Sequence, residues 1–339
     1  MKIIKHLFFG TIAAIIAIGF ILLSLELFLR INKKIWHITT SYKVNTSAWL
    51  ENVLLQKKRH SSLLGFENIP NAGGVNSYGL VSREYKLKKG KNTFRILILG
   101  DSIAEGFDNC LFESLLNESP VKRPNYKYEV WNGSVGAYDV RRYYLYLKNR
   151  GLHYKPDLVF IFFCLNDFDI DTSVYYKDEK GAIKYNFHSS SGLMRRYTPN
   201  PFLMRYSYLY RFIILRLNSY MLSMEEKRCG LSSEQEEGLY YLKEIKNLCD
   251  KNHLPLFAVV FPYLKPPSEY YSYQQKQYGI ITHALKDLDI TYLDLHHHLP
   301  QEELIGLRMK KEDEMHPSLE GYRIIARIIY NNFFGQRQK

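Results

Sequence analysis

Side chains that could together carry out acyl transfer occur in short segments far apart in the sequence. Ser102, in Gly100-Asp101-Ser102, could act as a nucleophile, and His316, in the segment 313–317, could be its base. A serine hydroxyl is a poor nucleophile unless a base lies within hydrogen-bond reach. Asp313 precedes His316 by three residues, so a tight turn can bring its carboxylate to the imidazole, where it would fix the tautomer. These residues predict a Ser102–His316–Asp313 triad.

Two further segments could supply hydrogen-bond donors to the oxyanion that forms during acyl transfer. Asn166 follows an apolar run and could offer its side-chain amide, and the loop 132–137 could offer a main-chain N–H. Ser102 could add its own main-chain N–H, since it stands at the start of a predicted helix. Each segment alone has a structural explanation, such as a helix N-cap at Asp101 or a turn after a strand at Asn166. The combination favours a catalytic site.

The elements that must position these residues alternate between strands and helices. Short apolar segments predict strands at 94–99, 128–131, 158–163, 256–261 and 290–293, and helices are predicted at 103–117, 140–148, 234–251, 273–286 and 318–333. Strands separated by helices imply right-handed crossovers and a parallel sheet. We therefore predict an α/β fold, a three-layer α/β/α sandwich with a five-stranded parallel sheet. Ligands bind at the carboxyl ends of the strands in such sheets, where all the candidate segments fall.

The composition excludes some classes of function. The chain has 339 residues, of which 46% are hydrophobic and 24% charged, and these values are typical of a globular protein. The net charge is +12, but the basic residues are scattered and form no zinc finger or continuous basic helix, so nucleic-acid binding is not expected. A basic surface beside an anionic membrane and a basic surface without a partner both remain open.

Neither a metal nor a cofactor is expected. His296-His297-His298 would make a poor chelate because consecutive side chains point in different directions. The four cysteines are widely spaced and form no C-x-x-C pair, which argues against a zinc site or a disulfide framework. Cys164 ends an apolar run and is predicted to be a small buried hydrophobic residue. One disulfide among Cys110, Cys229 and Cys249 is left open. No phosphate-binding or dinucleotide-binding glycine motif is present.

The amino-terminal region predicts a single membrane-spanning helix. Residues 7–25 contain no charged side chain, and nineteen helical residues span roughly 28 Å, close to the thickness of the hydrocarbon layer. We expect an uncleaved anchor over residues 1–31, and a cleaved signal peptide is the alternative. Both flanks are basic, so charge does not decide the orientation. A connecting and capping region at 32–90 and a catalytic domain at 91–339, with a tyrosine-rich insertion at 168–230, would follow.

Taken together, the four segments resemble the sequence blocks of the SGNH hydrolase superfamily, the GDSL-like lipases and acylhydrolases. The resemblance is carried by Gly100-Asp101-Ser102 with Gly106, by 132–138, by Cys164-Leu165-Asn166-Asp167 and by Asp313-Glu314-Met315-His316-Pro317. It implies a flavodoxin-like fold and ester hydrolysis or acyl transfer without a metal. By position it implies Ser102 as nucleophile, His316 as base and Asp313 as orienting acid.

The resemblance also implies an oxyanion hole formed by the Ser102 N–H, by Asn166 and by a glycine of the second block. Two positions depart from the family pattern. Cys164 stands where the third block usually has glycine, and the donor glycine of the second block aligns better with Ala137 than with Gly136. Alanine keeps an N–H but adopts fewer backbone conformations than glycine. The donor is therefore either Gly136 or Ala137.

These features predict a membrane-anchored serine ester hydrolase, or an O-acyl transferase, acting on esters of a cell-envelope glycan or lipid. The alternatives are a lysophospholipase or thioesterase and a catalytically weak envelope-assembly protein that retains the fold. The segment Tyr270-Tyr271-Ser272-Tyr273 could offer ring faces to a sugar, although partly buried surface aromatics are common. The resemblance favours a single-pass protein of the cell membrane with an extracytoplasmic catalytic domain, working beside envelope glycan-synthesis partners.

Overall fold

The computed structural model describes residues 2–32, 58–119, 126–168, 170, 174–177, 183–186, 200–229, 231 and 233–335. The strands are β1 (Lys58–Ser61), β2 (Gly65–Asn68), β3 (Thr93–Gly100), β4 (Lys127–Asn132), β5 (Leu158–Phe163), β6 (Val174–Lys177), β7 (Ile183–Asn186), β8 (Leu256–Val260) and β9 (Thr291–Asp294). The α-helices are α1 (Lys2–Ile31), α2 (Ser102–Glu105), α3 (Asn109–Glu118), α4 (Val140–Asn149), α5 (Pro201–Tyr206), α6 (Tyr208–Cys229), α7 (Ser233–Lys251), α8 (Ser272–Asp287) and α9 (Leu319–Phe333).

Five strands form one parallel sheet in the order β4-β3-β5-β8-β9. Numbered by their position in the chain, these strands follow the order 2-1-3-4-5 of flavodoxin-like folds. The register pairs Gly100 at the end of β3 with Phe162 of β5. The carboxyl ends of β3 and β5 therefore lie side by side, and the prediction of a five-stranded parallel α/β sandwich is confirmed.

Both faces of the sheet are buried, which explains why its strands read as continuous apolar runs. In β3, Leu97 and Leu99 enter one hydrophobic core, and Ile96 and Ile98 enter the other. Side chains of α4, α7 and α8 contribute to the first core, and side chains of α3 and α9 contribute to the second. The sheet is thus the middle of three layers.

The single helix predicted over 103–117 is wrong, because this segment forms two helices. The side chain of Asp108 accepts a hydrogen bond from the Leu111 N–H at 2.9 Å and so caps the start of α3. Gly106 ends α2, and its N–H bonds to carbonyls inside that helix. Glycine is a poor helix former and an aspartate at a helix start satisfies unpaired N–H groups, so the chain restarts its helix here.

The hairpin of β1 and β2 lies in the same compact unit as the large sheet. Leu64 and Phe66 are buried in the first hydrophobic core. The Leu64 carbonyl accepts a hydrogen bond from Arg142 Nε at 3.1 Å, and the Phe66 carbonyl accepts one from the Tyr138 hydroxyl at 2.6 Å. The hairpin is therefore tied to the segment that follows β4.

The described residues before 33 and between 174 and 231 form a second compact unit. In it, Phe8–Ile31 of α1 is long and apolar enough to cross a membrane. Glu26 of α1 accepts hydrogen bonds from the main-chain N–H groups of Tyr208 at 2.9 Å and Leu209 at 2.8 Å. Its carboxylate therefore caps the amino terminus of α6, where a negative charge is favourable. Arg30 bonds to the Tyr206 carbonyl at 2.5 Å and strengthens the same contact.

Candidate active site

Ser102 is the first residue of α2. It follows by two residues Gly100, the last residue of β3, which pairs with Phe162 of β5. The turn before Ser102 is tight. A Cβ atom on Gly100 would stand 2.4 Å from the Ala104 Cβ and 3.0 Å from the Phe162 carbonyl oxygen, so glycine is needed for this close approach. Asp101 caps α2 by accepting the Ile103 N–H at 2.9 Å. These contacts hold the serine at the carboxyl edge of the sheet.

Ser102, His316 and Asp313 form a hydrogen-bonded chain, although 214 residues separate the serine from the histidine. The Ser102 Oγ lies 2.8 Å from His316 Nε2. On the other side of the ring, His316 Nδ1 lies 2.9 Å from Asp313 Oδ2. With the Nδ1 proton donated to this carboxylate, Nε2 is left to accept the serine proton. All three side chains are partly accessible to solvent.

The local turn that carries Asp313 keeps its carboxylate ionised. Asp313 Oδ1 accepts the main-chain N–H groups of Met315 and His316, each at 3.0 Å. Burial works to raise the pKa of Asp313, but these two N–H groups and the imidazole outweigh it, and the pKa lies below its usual value. The turn itself is fixed to the core by the Leu264 N–H, which bonds to the Glu314 carbonyl at 2.7 Å.

The loop after β4 uses nearly all of its main-chain N–H groups. Those of residues 133 and 135 bond to carbonyls of β3 at 2.9 and 3.1 Å, that of residue 134 bonds to the Asn132 side chain at 2.9 Å, and that of residue 138 bonds to the Val135 carbonyl at 3.0 Å. The Gly136 N–H bonds to Glu105 Oε2 at 2.6 Å. Within the described part of the chain, the Ala137 N–H alone among residues 133–138 makes no hydrogen bond.

Ala137 has a left-handed backbone conformation, with φ of +67°. It follows Gly136, whose φ is negative, in a turn closed by the bond between residues 138 and 135. This is the φ pattern of a type II turn, in which glycine is favoured at the second central position. Ala137, which stands where the family pattern has glycine, therefore lies at a position where a Cβ atom costs roughly 1–2 kcal/mol of conformational free energy.

Asn166 lies in the turn that follows β5 and its side chain is exposed. The neighbouring Asp167 is buried and holds the turn by accepting the Cys164 N–H at 2.9 Å. Because β5 pairs with β3, Asn166 and Ser102 follow adjacent strand ends at the same edge of the sheet. Cys164 is buried, as predicted, and Cys110, Cys164 and Cys249 are free thiols, whereas the side chain of Cys229 lies outside the described residues.

Two buried carboxyl groups, Asp101 and Asp167, lie in the turns that follow β3 and β5. Burial raises the pKa of Asp101 to about 6, even though the Ile103 N–H and the nearby His316 act to lower it. Burial and the neighbouring Asp101 raise the pKa of Asp167 well above its usual value. The sequence indicates Asp101 only as a possible N-cap. Its burial could not be read from a motif in which it is flanked by glycine and serine.

An open depression with a volume of about 510 Å³ borders Asp313. Its walls combine aromatic rings with polar and charged side chains from Tyr263, Tyr271, Gln274, Lys310, Glu312 and Glu314. The Tyr271 ring is 63% exposed, and the buried Lys265 ammonium lies 4.5 Å from its centroid. Among the described residues, no group of His, Cys, Asp and Glu side chains could hold a metal ion. His296 and His297 lie in a short 3-10 helix over Leu295–His297.

Several solved structures are similar to this chain. An acetylxylan esterase from Geobacillus stearothermophilus, solved as a catalytic mutant, has 15% sequence identity and a TM-score of 0.46 over 73% of this chain and 97% of the other. A GDSL-like lipase from Bacteroides thetaiotaomicron has 15% identity and a TM-score of 0.40 over 70% and 86%. A lipase/acylhydrolase from Enterococcus faecalis has 14% identity and a TM-score of 0.41 over 71% and 96%.

Among curated proteins, no sequence matches this chain significantly. A family model, however, matches residues 98–324, a span that runs from β3 into α9 and contains the serine, the loop after β4, Asn166 and the 313–317 segment. The match covers more than half of the chain and is described as the GDSL-like lipase/acylhydrolase family. On this match, with the α/β sheet and the ordered motifs already described, the chain belongs to the GDSL-like lipase/acylhydrolase family.

Proposed function

We propose that this protein is a membrane-anchored serine esterase or O-acyltransferase that acts on O-acyl groups of a cell-envelope glycan. The observation that carries the chemistry is the chain of hydrogen bonds from Ser102 through His316 to Asp313, with distances of 2.8 and 2.9 Å. Nucleophile, base and orienting carboxylate are the three groups that serine-dependent acyl transfer requires.

In the acylation step, His316 Nε2 takes the proton from Ser102 Oγ as the oxygen attacks the carbonyl carbon of the ester. The tetrahedral oxyanion receives hydrogen bonds from the N–H groups of Ser102 and Ala137 and from the Asn166 amide. His316 then gives its proton to the leaving sugar oxygen as the carbon–oxygen bond breaks, which leaves acyl-Ser102. Asp313 stays ionised and stabilises the imidazolium throughout.

In the second step, the acyl group leaves the enzyme. His316 takes a proton from water or from an acceptor hydroxyl, which attacks the acyl carbon, and returns that proton to Ser102 Oγ as the bond to the serine breaks. Water gives hydrolysis and a sugar hydroxyl gives transfer. The same residues serve both reactions, so the acceptor that reaches the site decides the outcome.

The depression beside Asp313 supports a carbohydrate as the group that carries the ester. An exposed tyrosine ring can pack against the apolar face of a sugar, and the exposed side chains of Lys310 and Glu312 can bond to its hydroxyls. The apolar helix Phe8–Ile31 supports an anchor that keeps the enzyme close to glycans of the envelope.

The serine mechanism is tested with the full chain in detergent micelles. Release of p-nitrophenol from p-nitrophenyl acetate is measured for the natural protein and for Ser102→Ala, and we expect the variant to lose at least about a thousandfold in kcat. Equal rates would refute serine catalysis. A fluorophosphonate probe that labels the folded natural protein but not Ser102→Ala would argue against an envelope-assembly protein that merely retains the fold.

The substrate class is tested separately. We expect Tyr271→Ala to raise KM for an O-acetylated xylo-oligosaccharide about tenfold, a loss of about 1.4 kcal/mol, and to raise KM for p-nitrophenyl acetate much less. Tyr240, an exposed tyrosine on α7, provides the matched control as Tyr240→Ala. If activity instead rises steadily with acyl chain length in a series of p-nitrophenyl esters, the lysophospholipase or thioesterase alternative is favoured.

A further inference from the structure

A carboxylate lies immediately beside the candidate nucleophile and is not part of the triad. Glu105, the last residue of α2, stands three residues after Ser102. Its Oε2 accepts the Gly136 N–H at 2.6 Å, and its Oε1 accepts the Lys58 ammonium at 2.7 Å. The Lys58 side chain is only 5% exposed, so the ion pair is largely shielded from water on that side.

Gly136 lies close to both the Glu105 carboxylate and Ser102. A Cβ atom on Gly136 would lie 2.8 Å from Glu105 Oε2 and 3.5 Å from the Ser102 Cβ. The Gly136 N–H is therefore occupied, although it was one of the two candidate oxyanion donors in this loop. The neighbouring Ala137 N–H stays unbonded among the described residues, and this arrangement depends on the conformation of the turn that Glu105 holds.

The same cluster reaches the turn by a second route. Lys58 also donates to Asn68 Oδ1 at 2.5 Å, and Asn68 Nδ2 donates to the Ser134 carbonyl at 3.4 Å. Residues from β1 and β2 thus contact the loop after β4 both through Glu105 and through Asn68. Two hydrogen bonds two residues apart restrict the loop more strongly than either bond alone.

The charges in this cluster also matter for the reaction. An unpaired carboxylate close to a forming oxyanion would raise the energy of the transition state, since like charges repel strongly where water is scarce. The buried ammonium of Lys58 neutralises Glu105 and so removes that penalty. A neutral acceptor would bind the Gly136 N–H without needing a cation. Substitution can therefore separate the hydrogen bond that Glu105 accepts from the charge that it carries.

We propose that Glu105 is a positioning residue that sets the turn over residues 135–138 by binding the Gly136 N–H, and that Lys58 offsets its charge. The inference rests on the proposed function, because it concerns the donors that stabilise the oxyanion. Glu105 neither touches the ester nor moves a proton. It acts through the turn, which leaves the Ala137 N–H available.

The test compares four variants of the full chain in detergent micelles. Glu105→Ala removes the acceptor, and Lys58→Met leaves the carboxylate without its cation, so we expect kcat for p-nitrophenyl acetate to fall at least tenfold in each while KM changes less than threefold. Glu105→Gln removes the carboxylate that pairs with the buried Lys58 ammonium and should also be impaired. The double variant Lys58→Met/Glu105→Gln keeps an acceptor oxygen and no unpaired charge, and should recover most of kcat.

Lys89→Met is the matched control. Lys89 pairs with Asp157 at 2.5 Å near the amino ends of β3 and β5, so its loss removes an ion pair of the same sheet without touching the turn. We expect its kcat to equal that of the natural protein. If Glu105 had only a structural role, the melting temperature would fall in the double variant as it does in the single variants, and kcat would not recover.

A second readout does not depend on activity. An N–H bonded to a carboxylate has a strongly downfield amide proton resonance, so the Gly136 signal of glycine-labelled protein should move upfield in Glu105→Ala and stay in place in Lys89→Met. An unmoved Gly136 signal, or full kcat in Glu105→Ala, would overturn the inference. If Ser102→Ala retains activity while the Gly136 signal moves as expected, the proposed function fails and the contact itself stands.

Discussion

At the scale of single residues, the site separates its carboxyl groups by environment. Asp313 is stabilised as an anion by two main-chain N–H groups and the imidazole, and its pKa is lowered. Asp101 is buried one residue before Ser102, the proposed nucleophile, and burial raises its pKa to about 6. Only the first is suited to orient a histidine that must become positively charged, since the negative charge has to persist throughout the reaction.

Asp313→Asn should test this assignment of roles. An asparagine can keep the shape of the turn but cannot hold the imidazole in the tautomer that leaves Nε2 free, and it offers no charge to the imidazolium. We expect kcat for p-nitrophenyl acetate to fall about 10²–10⁴-fold with the protein still folded. Steady-state kinetics and circular dichroism check this, and Asp250→Asn, at an exposed carboxylate on α7, serves as the control. Wild-type kcat in Asp313→Asn would contradict the role.

Asp101 should make the folded state lose stability as the pH rises. Its folded pKa of about 6 lies above the unfolded value of about 3.9, so the native state holds the proton longer. The contribution of Asp101 to the free energy of unfolding is fully present below about pH 4. It is lost as the pH rises through about 6, and the total loss is roughly 3 kcal/mol. Asp101→Asn keeps a side chain that can cap α2 and removes this titration.

Denaturant unfolding of the natural protein and of Asp101→Asn at pH 4.5 and pH 7.5 measures the effect. We expect the free energy of unfolding of Asp101→Asn, minus that of the natural protein, to be larger at pH 7.5 than at pH 4.5 by about 2 kcal/mol. A difference that does not change with pH would show that Asp101 is not protonated in the folded protein at the lower pH.

The sequence predicted that Ser102, His316 and Asp313 come together, because each follows a recognisable strand or turn, and hydrogen bonds join the three side chains. The part of Asn166 in an oxyanion hole stays a prediction. The sequence did not predict the partner of Gly136. Glu105 looks like an ordinary helix residue, and Lys58 lies 47 residues before it in a region with no motif. Such contacts depend on how a hairpin packs against a loop, and periodicity and local spacing do not record that packing.

At the scale of elements, the turn after β4 has one residue type that suits its position, Gly136, and one that does not, Ala137. Gly136 has room only for hydrogen because Glu105 Oε2 lies 2.8 Å from the position of a Cβ atom. Ala137, in contrast, carries a Cβ atom at φ of +67°. The sequence alone does not decide which of the two is the oxyanion donor, since either residue can supply an N–H. The hydrogen bonds of the loop separate them.

Reciprocal substitutions in this turn should have opposite effects on stability. Gly136→Ala forces Glu105 or the turn to shift, and we expect the free energy of unfolding to fall by about 1–3 kcal/mol. Ala137→Gly relieves the left-handed conformation, and we expect a gain of up to about 1 kcal/mol, reduced by the greater freedom of glycine in the unfolded chain. Thermal unfolding of both variants provides the measurement. Equal and same-signed shifts would contradict the turn geometry.

The predicted strands of the sheet and the predicted helices that cover it match the observed elements to within a few residues, except where α2 ends and α3 begins. The apolar runs are informative because both faces of each strand are covered. The break at 106–108 was missed because the apolar pattern of 103–117 continues across it. Asp108 before Asn109 is a recognisable N-cap signal, and it could have identified the second helix start.

At the scale of the whole molecule, the contacts of α1 bear on the choice between an anchor and a cleaved signal. Glu26 and Arg30, at the end of the apolar segment, bind Tyr206, Tyr208 and Leu209 around the start of α6. Cleavage before residue 26 would leave Glu26 at a new chain end, and cleavage after residue 30 would remove both side chains. These contacts favour retention of the helix, which charge and length alone left open.

We therefore expect the mature protein to keep residues 8–31 and to stay in the membrane fraction after a wash with alkaline carbonate. The apolar helix buries enough surface in a bilayer to resist this treatment, whereas a protein held only by surface charge is released. Intact mass spectrometry and immunoblotting of the pellet and supernatant check the expectation. A soluble protein whose mass corresponds to cleavage after residue 25 would contradict it.

The β1–β2 hairpin has a practical consequence for anyone preparing a shortened version of the enzyme. The family match begins at residue 98, yet Lys58, Leu64 and Phe66 supply a cation and two carbonyl acceptors to groups inside the matched region. A recombinant fragment trimmed to the matched boundary would lack Tyr78 and Tyr85, whose rings stack on the buried Trp131, and would lack the Lys58 ammonium that pairs with Glu105. Expression boundaries should therefore be drawn upstream of residue 58.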